Sequence, residues 1–209
     1  MRIGTIYTIY NGKTGIEFSF ERIVKEILKI GENIKFTVFC NHNAFEVLKK
    51  ENHLDPCLVN ALNNRYTKAL WLESFSKKYI NKSNFDLFWV PSGTNHFPGR
   101  WNIPVVTTIH DIGEFHIKKK YGFIRNFYRK AVCIPRSLKR SDSIIAVSNF
   151  TAADIASTLK YNNKIRVIYQ APEPWKEEAA ESSIDTIRQE TGRAFERIIL
   201  CVGRIFYVG

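Results

Sequence analysis

The sequence lacks several features that would assign it to common protein classes. No apolar stretch in its 209 residues approaches the ~20 residues that a membrane-spanning helix needs. The four cysteines and five histidines show none of the spacings of disulfide frameworks or metal sites. The N-terminus alternates Ile, Thr and Tyr without a small-residue cleavage site, which is atypical of a signal peptide. We therefore expect reduced thiols, no metal and a cytoplasmic location.

Common catalytic loops are also missing from the sequence. It contains no Walker loop and no complete dinucleotide fingerprint, so neither nucleotide-binding motif predicts the function. It has no Gly-x-Ser-x-Gly turn, which disfavours a nucleophilic triad of the α/β-hydrolase type.

Acidic residues are absent from one segment, residues 118–140, which carries nine of the basic side chains and accounts for most of the net charge of +11. Aromatic and cationic residues alternate there at nearly helical spacing. The segment fits a helix on an anionic membrane surface, a nucleic-acid contact or an ordinary solvated helix face. A nucleic-acid contact would leave the polar loops described below unexplained, and we do not expect one.

The remaining chain alternates strand-like and helix-like stretches. Strands rich in Val and Ile, with helical patterns between them, predict an α/β fold in which helices cover both faces of a Rossmann-like parallel sheet. We expect residues 1–175 to form this domain and residues 176–196 to form a linker and a helix. Residues 197–209 read as the first strand of a second, truncated domain.

Polar loops follow five of the predicted strands, and the carboxyl edge of a parallel sheet is where ligands bind. Four residues in these loops are candidate site residues: Gly15, His110, Asp111 and Ser148. A strand-end histidine beside a carboxylate offers a neutral donor and acceptor. Each residue alone also fits a local role, because Gly15 suits a turn and Asp111 and Ser148 suit helix caps.

Four sequence stretches occur in an order that resembles a known family. They are VVTTIHD at 105–111, SDSIIAVSNFTAADI at 141–155, KIRVIYQA at 164–171 and ILCVGRI at 199–205. With the basic helix between the first two, they resemble the family-4 glycosyltransferases of the GT-B fold. The ordered match extends over residues 1–205.

The resemblance implies an N-terminal acceptor domain, a C-terminal domain that binds a nucleotide sugar, and transfer with retention without a metal or other cofactor. It places Gly15 near the donor phosphates, His110 against the transferred sugar, Ser148 at the cleft, and Gly203 and Arg204 at the start of the donor domain.

Lipid-linked acceptors are common in such a family, so the implied partners are a nucleotide sugar, a glycan or lipid-linked acceptor, and an anionic inner-membrane surface. The lysine and paired glutamates expected further along the donor domain have no counterpart in these 209 residues. A non-catalytic binding or regulatory module is therefore the alternative.

Overall fold

The structure is a computed structural model. It describes residues 1–170 except Asn11, Glu32 and residues 118–120, and it also describes Gln189. The chain divides into a unit of Met1–Tyr169 and a stretch of Gln170–Gly209. Apart from Gln189, the predicted segments 176–196 and 197–209, with Gly203 and Arg204, lie outside the described residues.

Seven parallel strands form one sheet in the order β3-β2-β1-β4-β5-β6-β7. The strands are β1 (Arg2–Tyr7), β2 (Lys35–Cys40), β3 (Leu54–Leu58), β4 (Leu87–Val90), β5 (Val105–Ile109), β6 (Ser143–Ala146) and β7 (Ile165–Val167). The order reverses direction at β1, as it does in doubly wound folds. The predicted Rossmann-like parallel sheet is confirmed.

Helices connect the strands. They are α1 (Gly15–Ile30), α2 (His42–Leu48), α3 (Arg65–Leu70), α4 (Ser76–Ile80), α5 (Phe123–Tyr128), α6 (Ile134–Arg140) and α7 (Asn149–Leu159). A π-helical turn, Trp71–Phe75, joins α3 to α4, and a second one, Arg129–Cys133, joins α5 to α6. No helix among the described residues is long and apolar enough to cross a bilayer.

Strand alternation distributes the apolar side chains to both faces of the sheet. On one face, Phe20 and Val24 of α1 pack with Phe36 and Val38 of β2. A second buried cluster lies on the other face. It contains Ile6, Phe39, Phe88, Trp71, Leu72 and Cys133. Burial of these large side chains on both faces fixes the register of the strands.

The strand β3 was not predicted from the sequence. Its residues LDPCL contain Asp and Pro, both of which are depleted in strands. The structure places β3 at the edge of the described sheet, where it pairs only with β2. Pro56 is tolerated in this strand because β2 does not require the N–H that proline lacks.

Candidate functional site

The carboxyl ends of β1, β4, β5 and β6 lie along one edge of the sheet because all four strands are parallel. Three predicted site residues lie at this edge. Gly15 is the first residue of α1, His110 directly follows β5, and Ser148 lies between β6 and α7.

His110 is held in one orientation at the end of β5. Its Nε2 lies 2.9 Å from the carbonyl oxygen of Pro91, and a carbonyl only accepts, so Nε2 carries the hydrogen. Burial lowers the pKa of His110, an effect that the bond to Pro91 and the carboxylates of Asp111 and Glu17 partly oppose. The ring is therefore neutral at pH 7, and its Nδ1 carries the lone pair.

Ser148 and His110 are connected through Thr151. The Ser148 hydroxyl caps α7 by accepting a hydrogen bond of 3.0 Å from the Thr151 backbone N–H. The Thr151 hydroxyl donates to the His110 carbonyl oxygen at 3.1 Å. Ser148 thus has the capping role considered from the sequence, and the same contacts place it next to the His110 backbone.

Gly15 and Asp111 lie in more open surroundings. A methyl group at Gly15 would meet no atom within 4 Å, so the space next to the first residue of α1 is open. The Glu17 carboxylate, one turn further, accepts a hydrogen bond of 2.8 Å from the Thr14 N–H. Asp111 is exposed, and its Oδ1 accepts from the Gly113 N–H at 2.9 Å, which is a local turn contact.

A second group of polar residues at the same edge was missed in the sequence. His96 follows β4, is almost fully buried, and places Nε2 3.1 Å from the Thr8 hydroxyl. Burial, assisted by the nearby Lys68 cation, lowers the pKa of His96 well below its ordinary value. Lys68 is itself buried, and its Nζ lies 5.2 Å from the centre of the Tyr10 ring.

A buried ion pair adjoins this group. Glu114, in the 3₁₀ turn Gly113–Phe115, pairs with Arg129, and both side chains are almost inaccessible to solvent. Arg129 also donates a hydrogen bond of 2.7 Å to the Asn95 side chain. The pair ties the loop after β5 to the π turn of the basic segment.

The chemistry at this edge is that of hydrogen bonding and fixed charge. It combines a neutral imidazole, several hydroxyls and a helix N-terminus. Within the described part of the chain, no three His, Cys, Asp or Glu side chains come together as a metal-binding group.

A comparison with protein families gives a match over most of the chain. The family described as Glycosyltransferase Family 4 matches residues 14–171. No curated protein sequence matches the chain significantly.

Three solved structures of about twice this length have a similar fold. Anabaena HepE in complex with UDP and glucose has a TM-score of 0.54 and 14% identity, with 92% of this chain and 50% of that chain covered. The apo lipopolysaccharide outer core galactosyltransferase WaaB gives 0.52 and 16%, with 85% and 47% covered. Medicago truncatula UGT71G1 in complex with UDP-glucose gives 0.51 and 9%, with 90% and 57% covered. The chain spans about half the length of these structures, and at such identities the likeness shows the fold alone.

Proposed function

The chain belongs to Glycosyltransferase Family 4, and on that premise we propose that it supplies the acceptor-binding half of a retaining, metal-independent transferase that uses a nucleotide-sugar donor. The observation that carries the proposal is the oriented, neutral His110 at the carboxyl edge of the sheet. The acceptor is a glycan or a lipid-linked sugar.

The role of His110 follows from its hydrogen-bonding state. Glycosyl transfer passes through an oxocarbenium-like state in which bonds to sugar hydroxyls strengthen. We propose that the neutral ring of His110, oriented by its hydrogen bond to Pro91, contacts a hydroxyl of the transferred sugar. Asp111, next in the chain, adds a negative charge that stabilises the developing positive charge on the sugar.

The donor side of the proposal involves four residues. We propose that the donor phosphates approach Gly15, where a methyl group would meet no atom within 4 Å, and Ser148, which caps α7. Gly203 and Arg204, outside the described residues, are proposed to contact the donor diphosphate. Glu17 in the first turn of α1 weakens the attraction of that helix end for an anion, so we assign the main charge contact with the donor diphosphate to Arg204 and only a steric role to Gly15.

The substitution His110→Ala tests this function in the enzyme that contains this chain. We expect kcat to fall about tenfold, the loss of one transition-state hydrogen bond worth ~1.4 kcal/mol. His53→Ala, at an exposed histidine before β3, is the matched control and should leave kcat unchanged. An unchanged kcat in the His110 variant would remove its assigned role.

Two further measurements test the rest of the proposal. NMR of the first-formed product gives its anomeric configuration, and inversion would contradict retention. Activity that disappears with a chelator would contradict metal independence. Acceptor binding without any transfer would instead favour the non-catalytic module.

We also propose that the basic segment, residues 118–140, binds an anionic membrane surface. Its outer side chains Phe123, Ile124 and Phe127 are 85%, 65% and 61% exposed, whereas a solvated face would expose polar groups. Cys133 and Ile134, by contrast, pack inside the protein. Segment 118–120 lies outside the described residues, so the support comes from α5.

Vesicle co-sedimentation tests the membrane contact. Neutralising Lys118, Lys119, Lys120 and Arg125 should weaken binding, since each cation near an anionic surface is worth ~1 kcal/mol at low salt. Binding should also decrease as salt rises. Equal binding to neutral vesicles, or none to anionic ones, would contradict the electrostatic account.

A further inference from the structure

A second apolar face lies beside the basic segment, on α3, the π turn Trp71–Phe75 and α4. It consists of Tyr66, Leu70, Phe75 and Tyr79, which are 64%, 57%, 57% and 56% exposed. Single exposed apolar residues are ordinary, but four large ones on a single helical stretch mark an interaction surface. We call these four residues the α3–α4 row.

The π turn keeps the row on one side of the stretch. The residues follow one another at intervals of four, five and four positions. Side chains four apart lie on the same face of an α-helix, whereas five apart diverge. The five-residue step crosses the π turn, whose wider winding absorbs the extra residue. The row therefore stays continuous along both helices.

Both helical stretches on this side of the sheet combine a buried cation with exposed apolar side chains. On α3, Lys68 is 4% exposed while Leu70 is more than half exposed. In the basic segment, Arg129 is 4% exposed while Phe123 and Phe127 face outward. Each stretch packs apolar side chains into the core, and in addition it buries one cation and leaves other large apolar side chains exposed, whereas an ordinary surface helix exposes mainly polar groups.

The two stretches are neighbours. Both Nη atoms of Arg140, at the end of α6, donate at 2.9 Å to the two carboxylate oxygens of Glu73 in the first π turn. Trp71 and Cys133, one from each π turn, belong to the same buried cluster. The α3–α4 row and the exposed side chains of α5 therefore lie on the same side of the sheet.

The charge around the row matches that around α5. Residues 65–82 contain five basic side chains and one acidic side chain, Glu73, which Arg140 engages. Lys77, Lys78 and Lys82 are exposed. A partner for this surface must be anionic at its boundary and apolar just beneath it, which describes the headgroup and acyl layers of an anionic bilayer.

We propose that the α3–α4 row inserts into the same anionic bilayer as α5, so that the protein rests on the membrane through two adjacent helical stretches. The inference extends the membrane contact proposed above and rests on it. Two contacts side by side fix the orientation of the domain on the bilayer, which a single helix leaves free to rotate.

Partitioning of the full chain into vesicles tests the inference. The double variant Leu70→Ser/Phe75→Ser should partition about tenfold less into phosphatidylglycerol–phosphatidylcholine vesicles, because the inserted apolar area is lost. Phe123→Ser/Phe127→Ser should show a comparable loss. Ile30→Ser, at an apolar residue of α1 that is 85% exposed and lies on the other side of the sheet, is the control and should partition like the wild type. All five substituted side chains are exposed, so thermal melting should show that the variants fold.

Each outcome decides the inference. Normal partitioning of the Leu70/Phe75 variant with reduced partitioning of the Phe123/Phe127 variant would overturn it and leave the α5 contact standing. A change in oligomeric state with unchanged partitioning would assign the row to a second copy of the chain and overturn it. Absence of wild-type binding to anionic vesicles would overturn both membrane contacts, while the His110→Ala kinetics report on sugar transfer independently.

Discussion

His96 and His110 lie in neighbouring loops at one sheet edge, but they differ in what they can do there. His110 is partly exposed at this edge, and its Nε2 is bonded to the Pro91 carbonyl oxygen. His96 is almost fully buried against Thr8 and near Lys68. This difference supports the substrate contact proposed above for His110, and it indicates a structural role for His96.

The buried His96 predicts that the protein loses stability in mild acid. Its folded pKa lies below the ordinary value of about 6.5, so the unfolded chain binds a proton that the folded chain does not. The contribution of the neutral, buried His96 to the free energy of unfolding is fully present above pH ~6.5. It is lost as the pH falls toward the pKa of His96 in the folded protein. His110 acts in the same direction.

Urea unfolding at a series of pH values measures this effect. The free energy of unfolding should decrease from pH 7 to pH 5, and His96→Gln should make that decrease shallower, whatever its effect at pH 7. An identical pH dependence in the variant would show that His96 is not the titrating group.

The sequence could predict some of these residues and not others. Gly15, His110 and Ser148 each follow a strand that the hydrophobic pattern reveals, so their place at the carboxyl edge follows from the parallel topology. Lys68 and Arg129 occur in helical stretches with other cations, and nothing local distinguishes the buried cation from its exposed neighbours. Their burial depends on contacts with distant loops.

Among the elements, the basic segment differs most from a simple amphipathic helix. The sequence predicts one helix over much of residues 118–140, whereas the structure has α5 and α6 joined by a π turn. That turn positions Arg129 toward Glu114 and Asn95. The alternation of cations and aromatics could be read from the sequence, whereas the burial of Arg129 could not.

The Glu114–Arg129 pair should be important for stability. Glu114→Gln leaves the Arg129 charge buried without its partner, which should lower the free energy of unfolding by about 3–5 kcal/mol. Replacing both residues, as in Glu114→Gln/Arg129→Met, removes the uncompensated charge and should recover a large part of the loss. Chemical denaturation of the three proteins measures this, and a double variant less stable than Glu114→Gln would contradict the explanation.

At the scale of the whole domain, the two sides of the sheet have different surfaces. The side covered by α1 and α2 carries mixed charges, including the ion pairs Lys29–Glu26 and Lys49–Glu46. The side covered by α3–α6 carries the exposed apolar rows and most of the excess cations. This asymmetry is consistent with the two proposals above, sugar contact at one edge of the sheet and membrane contact on one broad side.

The position of Pro56 in β3 also bears on self-association. The N–H of Val59, just after β3, donates to the Cys40 carbonyl oxygen of β2 at 2.9 Å. Successive residues of a strand direct their backbone groups to opposite sides, so a residue three positions from Val59 faces the other way. Pro56 therefore directs its nitrogen away from β2, toward the open edge, and has no hydrogen to offer there. A strand from another molecule that paired with β3 would lack one backbone hydrogen bond, at Pro56 in the middle of β3. Pro56 thus disfavours the addition of a strand from another molecule at this edge, and with it the aggregation that such pairing leads to.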